Sequence, residues 1–259
     1  MSSRDAPFGV TVALLAARDY AVDNGGIGVL LWSVPLRACL QTAFLTLLGG
    51  YLGGTDGRDF AYVGAVGFAM TTPLLIKITD VLVADRWQGT LYRLRMGRLP
   101  VPLVVLLRSA GFVVEAGFAA MSAAVITGPL LVGPELTLRV VTGVPLLLVA
   151  SFGLLALGLT VAASAVGRRA DVLLANAATL VVLLGAGVLP YGAAGLDAVA
   201  SVLPLRHGLS ALRRWLAGEP WMAELGLDVL VGCGWLAAAW AVLTVQERRA
   251  RRHGLGDYA

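Results

Sequence analysis

Two histidines, two cysteines, one lysine and sixteen scattered carboxylates are the side chains from which catalysis or ligation would have to be built in this 259-residue chain. No Gly-x-x-x-x-Gly-Lys-Ser/Thr phosphate loop exists, because the single lysine, Lys77, follows Ile76. ATP hydrolysis by the P-loop route is therefore outside the chain's own chemistry, and energised work needs a partner. A His-Glu-x-x-His zinc helix, a Gly-x-Ser-x-Gly nucleophile turn and paired cysteines are absent too. Cys39 and Cys233 each sit inside an apolar run, which gives neither a disulfide framework nor metal-ligand spacing. The expectation is a protein without catalytic, cofactor or metal residues of its own.

The remaining polar candidates lie in apolar surroundings, where an ionisable group is costly and counts as functional until shown otherwise. Lys77 and Asp80 stand at i, i+3, and Arg108 and Glu115 are seven apart, on one helical face. They read either as a polar pathway or gate, or as structural charges that snorkel and pair near span ends. Asn176, with Ala175, Ala178 and Thr179, makes a small, partly polar helical face. Gly49-x-x-x-Gly53 and Gly50-x-x-x-Gly54 permit close helix approach, at a seam between copies, along a pathway, or within one chain. His207 reads as a surface histidine.

The elements that must position these residues are set by composition. With 58% apolar residues, 14% charged ones and a mean hydropathy of +0.81, the chain has too little polar surface for a soluble globule, which carries about 25% charged residues. The net charge of +4 and a pI near 9.4 do not indicate nucleic acid, since the basic residues form short clusters between apolar spans. Uncharged runs at 38–55, 60–76, 116–134, 140–167, 172–196 and 229–246 predict six membrane-spanning helices. With neighbouring apolar positions these become 35–55, 60–84, 99–127, 139–167, 172–190 and 225–246, in one all-α domain covering 1–259. Alternate loops hold twelve arginines on the side of both termini against five on the other, which predicts cytoplasmic termini. Residues 6–34 are expected to include an amphipathic interface helix rather than a cleaved signal, as no Ala-x-Ala pattern comes after the apolar stretch. Residues 247–259 form a basic cytoplasmic tail suited to anionic lipid.

Two connecting segments carry more information. Residues 85–98 are amphipathic, with Trp87, Leu91 and Leu94 at helical spacing among arginines. Residues 191–222, on the outer side, place Leu205, Leu209, Leu212 and Leu216 on one stripe, with Arg206, Arg213 and Arg214 off it. Either segment is also compatible with a plain lipid-surface loop.

With these residues in view, the chain resembles the permease subunits of ABC exporters of the second (ABC-2) type, most of all the drug-resistance branch typified by daunorubicin exporters. The resemblance runs from about Arg18 to Leu243. Asp85, Arg86, Gly89, Thr90, Leu91, Leu99 and Pro100 match a first-loop motif; Trp87 and Gln88 stand where the family often has further acids. Pro204, Ala211, Leu212, Arg213 and Gly218 match a second motif before the last span.

The resemblance implies that Asp85, Arg86, Gly89, Thr90, Leu91 and Arg93 lie in a coupling helix that docks on a separate nucleotide-binding ATPase, present in two copies and carrying the ATP and magnesium. It implies that residues 191–222 form re-entrant helices at an external gate, with Pro204, Arg206, Leu212, Arg213 and Gly218 in that role. Two permease copies, or this chain and a paralogue, would pair and export a drug, antibiotic, lipid or lipid-linked molecule, with Gly49 and Gly53 as seam candidates. Nineteen arginines against one lysine associate with a GC-rich bacterial genome, and so with a bacterial plasma membrane. The rival readings are a proton-coupled secondary transporter using Glu115 and Asp80, which predicts internal repeats that the chain does not show, and a non-transporting assembly protein.

Overall fold

The computed structural model describes residues 25–79, 101–165, 171–190 and 197–253. Its helices are α1 (Ile27–Phe68), α2 (Val101–Arg108), α3 (Ala110–Leu131), α4 (Pro134–Ala165), α5 (Asp171–Gly185), α6 (Asp197–Ser201), α7 (Arg206–Leu216) and α8 (Met222–His253), with a π-helical turn at Thr72–Lys77. No strand occurs among the described residues. Four helical stretches are long and apolar enough to cross a membrane: Ile27–Lys77, Leu103–Leu131, Pro134–Ala165 and Met222–Gln246; Val172–Gly185 is apolar but shorter.

The first stretch is folded back on itself. Gly53 (φ −135°, ψ 17°) and Gly54 (φ 64°, ψ −149°) are non-helical, and the Gly54 conformation is open essentially to glycine alone. In an unbroken helix Gly49 and Ala61 would stand ~18 Å apart. Here a Cβ added to Gly49 would overlap Ala61, so the two legs, 27–52 and 55–68, lie side by side. Glycine at 49 and 57 lets the backbones meet, with the Gly57 carbonyl 2.7 Å from that same Cβ position.

Several sequence-based boundaries move. Residues 27–34, expected in the interface helix, open α1: Gly25 and Gly26 both have positive φ, and no charge interrupts the chain until Arg37. The predicted loop before residue 60 reduces to the two glycines. The span predicted at 99–127 breaks at Ser109 and runs on to Leu131. α4 starts at Pro134, whose missing N–H costs nothing in a first turn. α5 ends at Gly185 rather than 190, and α8 continues to His253, into the predicted tail. Residues 1–24, which hold the start of the predicted interface helix, lie outside the described residues.

α4 is the centre of the bundle, packing against α3, α5, α7, α8 and the π-helical turn. Its contact with that turn depends on Gly158, because a Cβ there would overlap the Leu74 carbonyl. Gly158→Ala is therefore expected to destabilise the protein by about 1–3 kcal/mol, the range for overpacking a tight core. Gly234→Ala, with nothing within 4 Å of its Cβ position, is expected to be neutral; thermal unfolding in detergent compares the two.

Candidate functional site

Two polar clusters stand at opposite ends of the bundle. The first begins with Pro73, which has no N–H to continue the α-helical ladder and lies in the π-helical turn Thr72–Lys77. A π-turn pairs i with i+5 and shifts the register of the residues after it. Thr71 and Thr79 hydroxyls donate to the Phe68 and Leu75 carbonyls at 2.7 and 2.8 Å, satisfying backbone oxygens around it. The turn ends on Lys77, whose Nζ donates to Glu115 Oε1 of α3 at 2.8 Å. Arg37 Nη2, from α1, lies 3.6 Å from the same oxygen. The Glu115 side chain is 5% exposed, against 33% for Arg37 and 21% for Lys77, so two cations that reach the surface flank one enclosed carboxylate.

This triad differs from the pairings expected from sequence. Glu115 takes its partners from α1 and the π-turn and not from Arg108, which lies beyond the break at Ser109; Asp80 lies outside the described residues. Arg37 is sixteen residues, or ~24 Å of helix, from the fold-back at Gly53. The triad thus lies toward the end of the bundle away from that hairpin, just before residues 80–100. The coupling candidates Asp85, Arg86, Gly89, Thr90, Leu91 and Arg93 fall in that segment, outside the described residues.

The second cluster surrounds α7. Leu205, Leu209 and Leu212 are fully buried and Leu216 packs at the core edge, so the apolar stripe faces the bundle. Gly143 and Ala150 of α4 meet Leu212 and Gly208. Pro204 sits against Gly153, and Leu205 is held at φ 73°, a left-handed conformation rare for a bulky side chain. The buried Asp228 of α8 accepts from the Gly208 N–H at 2.9 Å, capping α7 across the structure. Gly218, at φ 75°, comes just after its last turn.

Arg213 joins three elements. Its Nη2 donates to the Gly187 carbonyl at 2.7 Å and the Phe60 carbonyl at 3.2 Å, and its guanidinium lies 3.5 Å from the Phe60 ring centroid. Burial pushes its pKa down to about 10, which leaves it charged at neutral pH. Arg214 pairs with Glu224 at 3.2 Å, and Arg206 is half-buried on the same helix.

The glycine and asparagine candidates are placed differently from one another. Gly49, a candidate for a seam between copies, faces Gly57 and Ala61 of its own chain, and Gly53 has Pro190 3.7 Å from its Cβ position. Asn176 is exposed on α5 beside the exposed Val172, Leu173 and Leu180, its amide turned to the Val172 carbonyl at 2.9 Å. Sequence reasoning passed over Arg37, Phe60, Glu224 and Asp228. Glu224 and Asp228 are four apart at the start of the last apolar run, and that spacing was the available signal; Phe60 offered none. Among the described residues no group of three or more His, Cys, Asp or Glu could hold a metal, and Cys39 and Cys233 are free thiols.

Such an arrangement defines a mostly helical, multi-pass membrane protein whose polar side chains tie helices to one another. The family model for the ABC-2 type transporter matches residues 27–216, from the first residue of α1 to the last of α7, and the chain belongs to that family. It is an ABC transporter permease, a membrane transport component that works with an ATP-binding subunit. No curated protein and no solved structure matches it.

Removing the Glu115 charge leaves Arg37 and Lys77 facing each other. Glu115→Gln is expected to destabilise the protein by up to about 3 kcal/mol, the low end for breaking a buried pair, because both cations are partly exposed. Lys77→Arg keeps the pair and is expected to cost much less, by thermal unfolding in detergent.

Proposed function

We propose that the chain is the permease of an ABC exporter, moving a lipophilic or amphiphilic molecule outward on energy from separate ATPase subunits. The family match over residues 27–216 carries this reading. In it the two legs of the hairpin, α2 with α3, α4, α5 and α8 cross the membrane as six spans. α6 and α7 form the external re-entrant segment, and both termini are cytoplasmic. The arginine count supports that orientation: twelve arginines, among them four in residues 85–98 and four in 248–252, fall in the segments that alternate with those holding five.

Residues 85–98 dock on the ATPase, and the triad is the first fixed point that a movement of this segment reaches. Two permease copies, or this chain and a paralogue, meet two ATPase subunits that hold ATP and magnesium. α5 supports a paired arrangement, since a polar amide on a face its own chain leaves uncovered is poorly suited to lipid. A bacterial plasma membrane and a substrate among drugs, antibiotics, lipids or lipid-linked molecules complete the proposal, with the daunorubicin-type branch as its reference.

The reading is tested by co-purification in mild detergent with the ATP-binding subunit encoded beside this chain. A stable complex is expected, with ATP hydrolysis that changes when the permease is present. Gly89→Pro and Leu91→Ala are expected to abolish most of that change while the permease stays folded. No complex, together with transport driven by a proton gradient alone, would overturn it in favour of a secondary transporter built on Glu115.

A further inference from the structure

His207 stands in the first turn of α7 with both ring nitrogens engaged. Nδ1 is 3.0 Å from Glu224 Oε2 on α8, and Nε2 is 3.0 Å from the Ser201 carbonyl at the end of α6. The other Glu224 oxygen takes the Arg214 guanidinium at 3.2 Å. A carboxylate and a carbonyl only accept hydrogen bonds, whereas a neutral imidazole offers one N–H and one lone pair. Neutral His207 would therefore set a lone pair against an oxygen in one of its two contacts. Only the imidazolium satisfies both.

We propose that His207 is a proton-operated lock on α7. Protonated, it clamps α6, α7 and α8 together; on losing its proton it gives up one of the two contacts and α7 loosens. The side chain of His207 is 17% exposed and that of Glu224 19%, so the proton exchanges with solvent while the contacts stay largely enclosed.

The surroundings bear on the charge balance. α8 presents Glu224 and Asp228, the latter within electrostatic reach of the ring. α7 itself carries Arg206, Arg213 and Arg214, and α6 offers the Ser201 carbonyl. α4 meets α7 through Gly143 and Ala150, and α1 meets it through Gly67, while Gly153 of α4 lies against Pro204 and Asp228 and Phe60 of α1 takes the Arg213 guanidinium. Carboxylates of α8 and arginines of α7 thus flank the ring with opposite charges, and the two acceptor contacts distinguish its protonated from its neutral form.

Docking of α7 and protonation of His207 are then linked. Because only the protonated ring keeps both contacts, docking is expected to be strongest at low pH and to weaken as pH rises. The lock rests on the proposed function only for its meaning: in that orientation it sits on the outer face and makes the external cap respond to external pH.

The test is hydrogen exchange, read by mass spectrometry, on the full chain in lipid nanodiscs across a pH series, corrected for intrinsic exchange rates. Protection of residues 206–216 is expected to fall roughly tenfold between about pH 5.5 and pH 8.5. His207→Lys, a cation throughout, is expected to flatten the profile with α7 protected, and His207→Gln to flatten it at lower protection. Should His207→Gln not fold, Glu224→Gln removes the opposing charge and is expected to reduce the pH response equally. A flat wild-type profile, or one that His207→Gln or Glu224→Gln leaves unchanged, overturns the lock. The measurement needs neither ATPase nor transport, so its failure leaves the permease reading standing, and a missing ATPase complex leaves this result standing.

Discussion

Helices in a bilayer gain little by hiding apolar side chains from one another, because lipid tails are as apolar as leucine; they hold together by close fit. This chain meets that constraint with glycine at its crossings. Gly49 and Gly57 let the hairpin legs touch, Gly64 takes the Val188 backbone, and Gly158 takes the Leu74 carbonyl. The polar sites depend on these contacts. The hairpin brings Phe60 to Arg213, and the notch at Gly158 seats the π-turn that ends on Lys77.

Charge is the second constraint, and it acts in the same places. An ionisable group enclosed at membrane depth needs a partner, and each partner comes from another element. Glu115 gathers cations from α1 and the π-turn. Asp228 reaches from α8 to the start of α7, and Arg213 reaches from α7 to the backbone at residues 60 and 187. The permease is thus joined across its helices at both ends: by ion pairs around Glu115, and by a mixed hydrogen-bonded network around α7. A transport cycle that shifts one helix must act on these joints, since packed helices offer few intermediate arrangements.

The fold was legible where the signal was local. Long uncharged runs mark the apolar helices, and the leucine stripe of α7 marks the face that the structure buries. The family relationship was legible as well, from short motifs in the right order. Boundaries set by backbone detail were less so: Ser109 and the π-turn at Thr72–Lys77 interrupt patterns whose hydropathy is continuous, because hydropathy does not register which carbonyl a given N–H reaches. Asp228 falls inside the span predicted at 225–246, where spacing along the chain does not show that it is a buried cap for another helix.

By itself the sequence determined that this is a helical membrane protein, and it marked which side chains would be expensive to enclose. Those properties are sums over local composition and spacing, and they need no knowledge of neighbours. Only the tertiary structure decided the partners: Glu115 with Lys77 and Arg37 rather than with Arg108, Gly49 against its own hairpin, and His207 between a carboxylate and a carbonyl. The reason is physical. Spacing along a helix fixes which residues share a face, but the helix that covers that face is chosen by backbone fit between segments far apart in the chain.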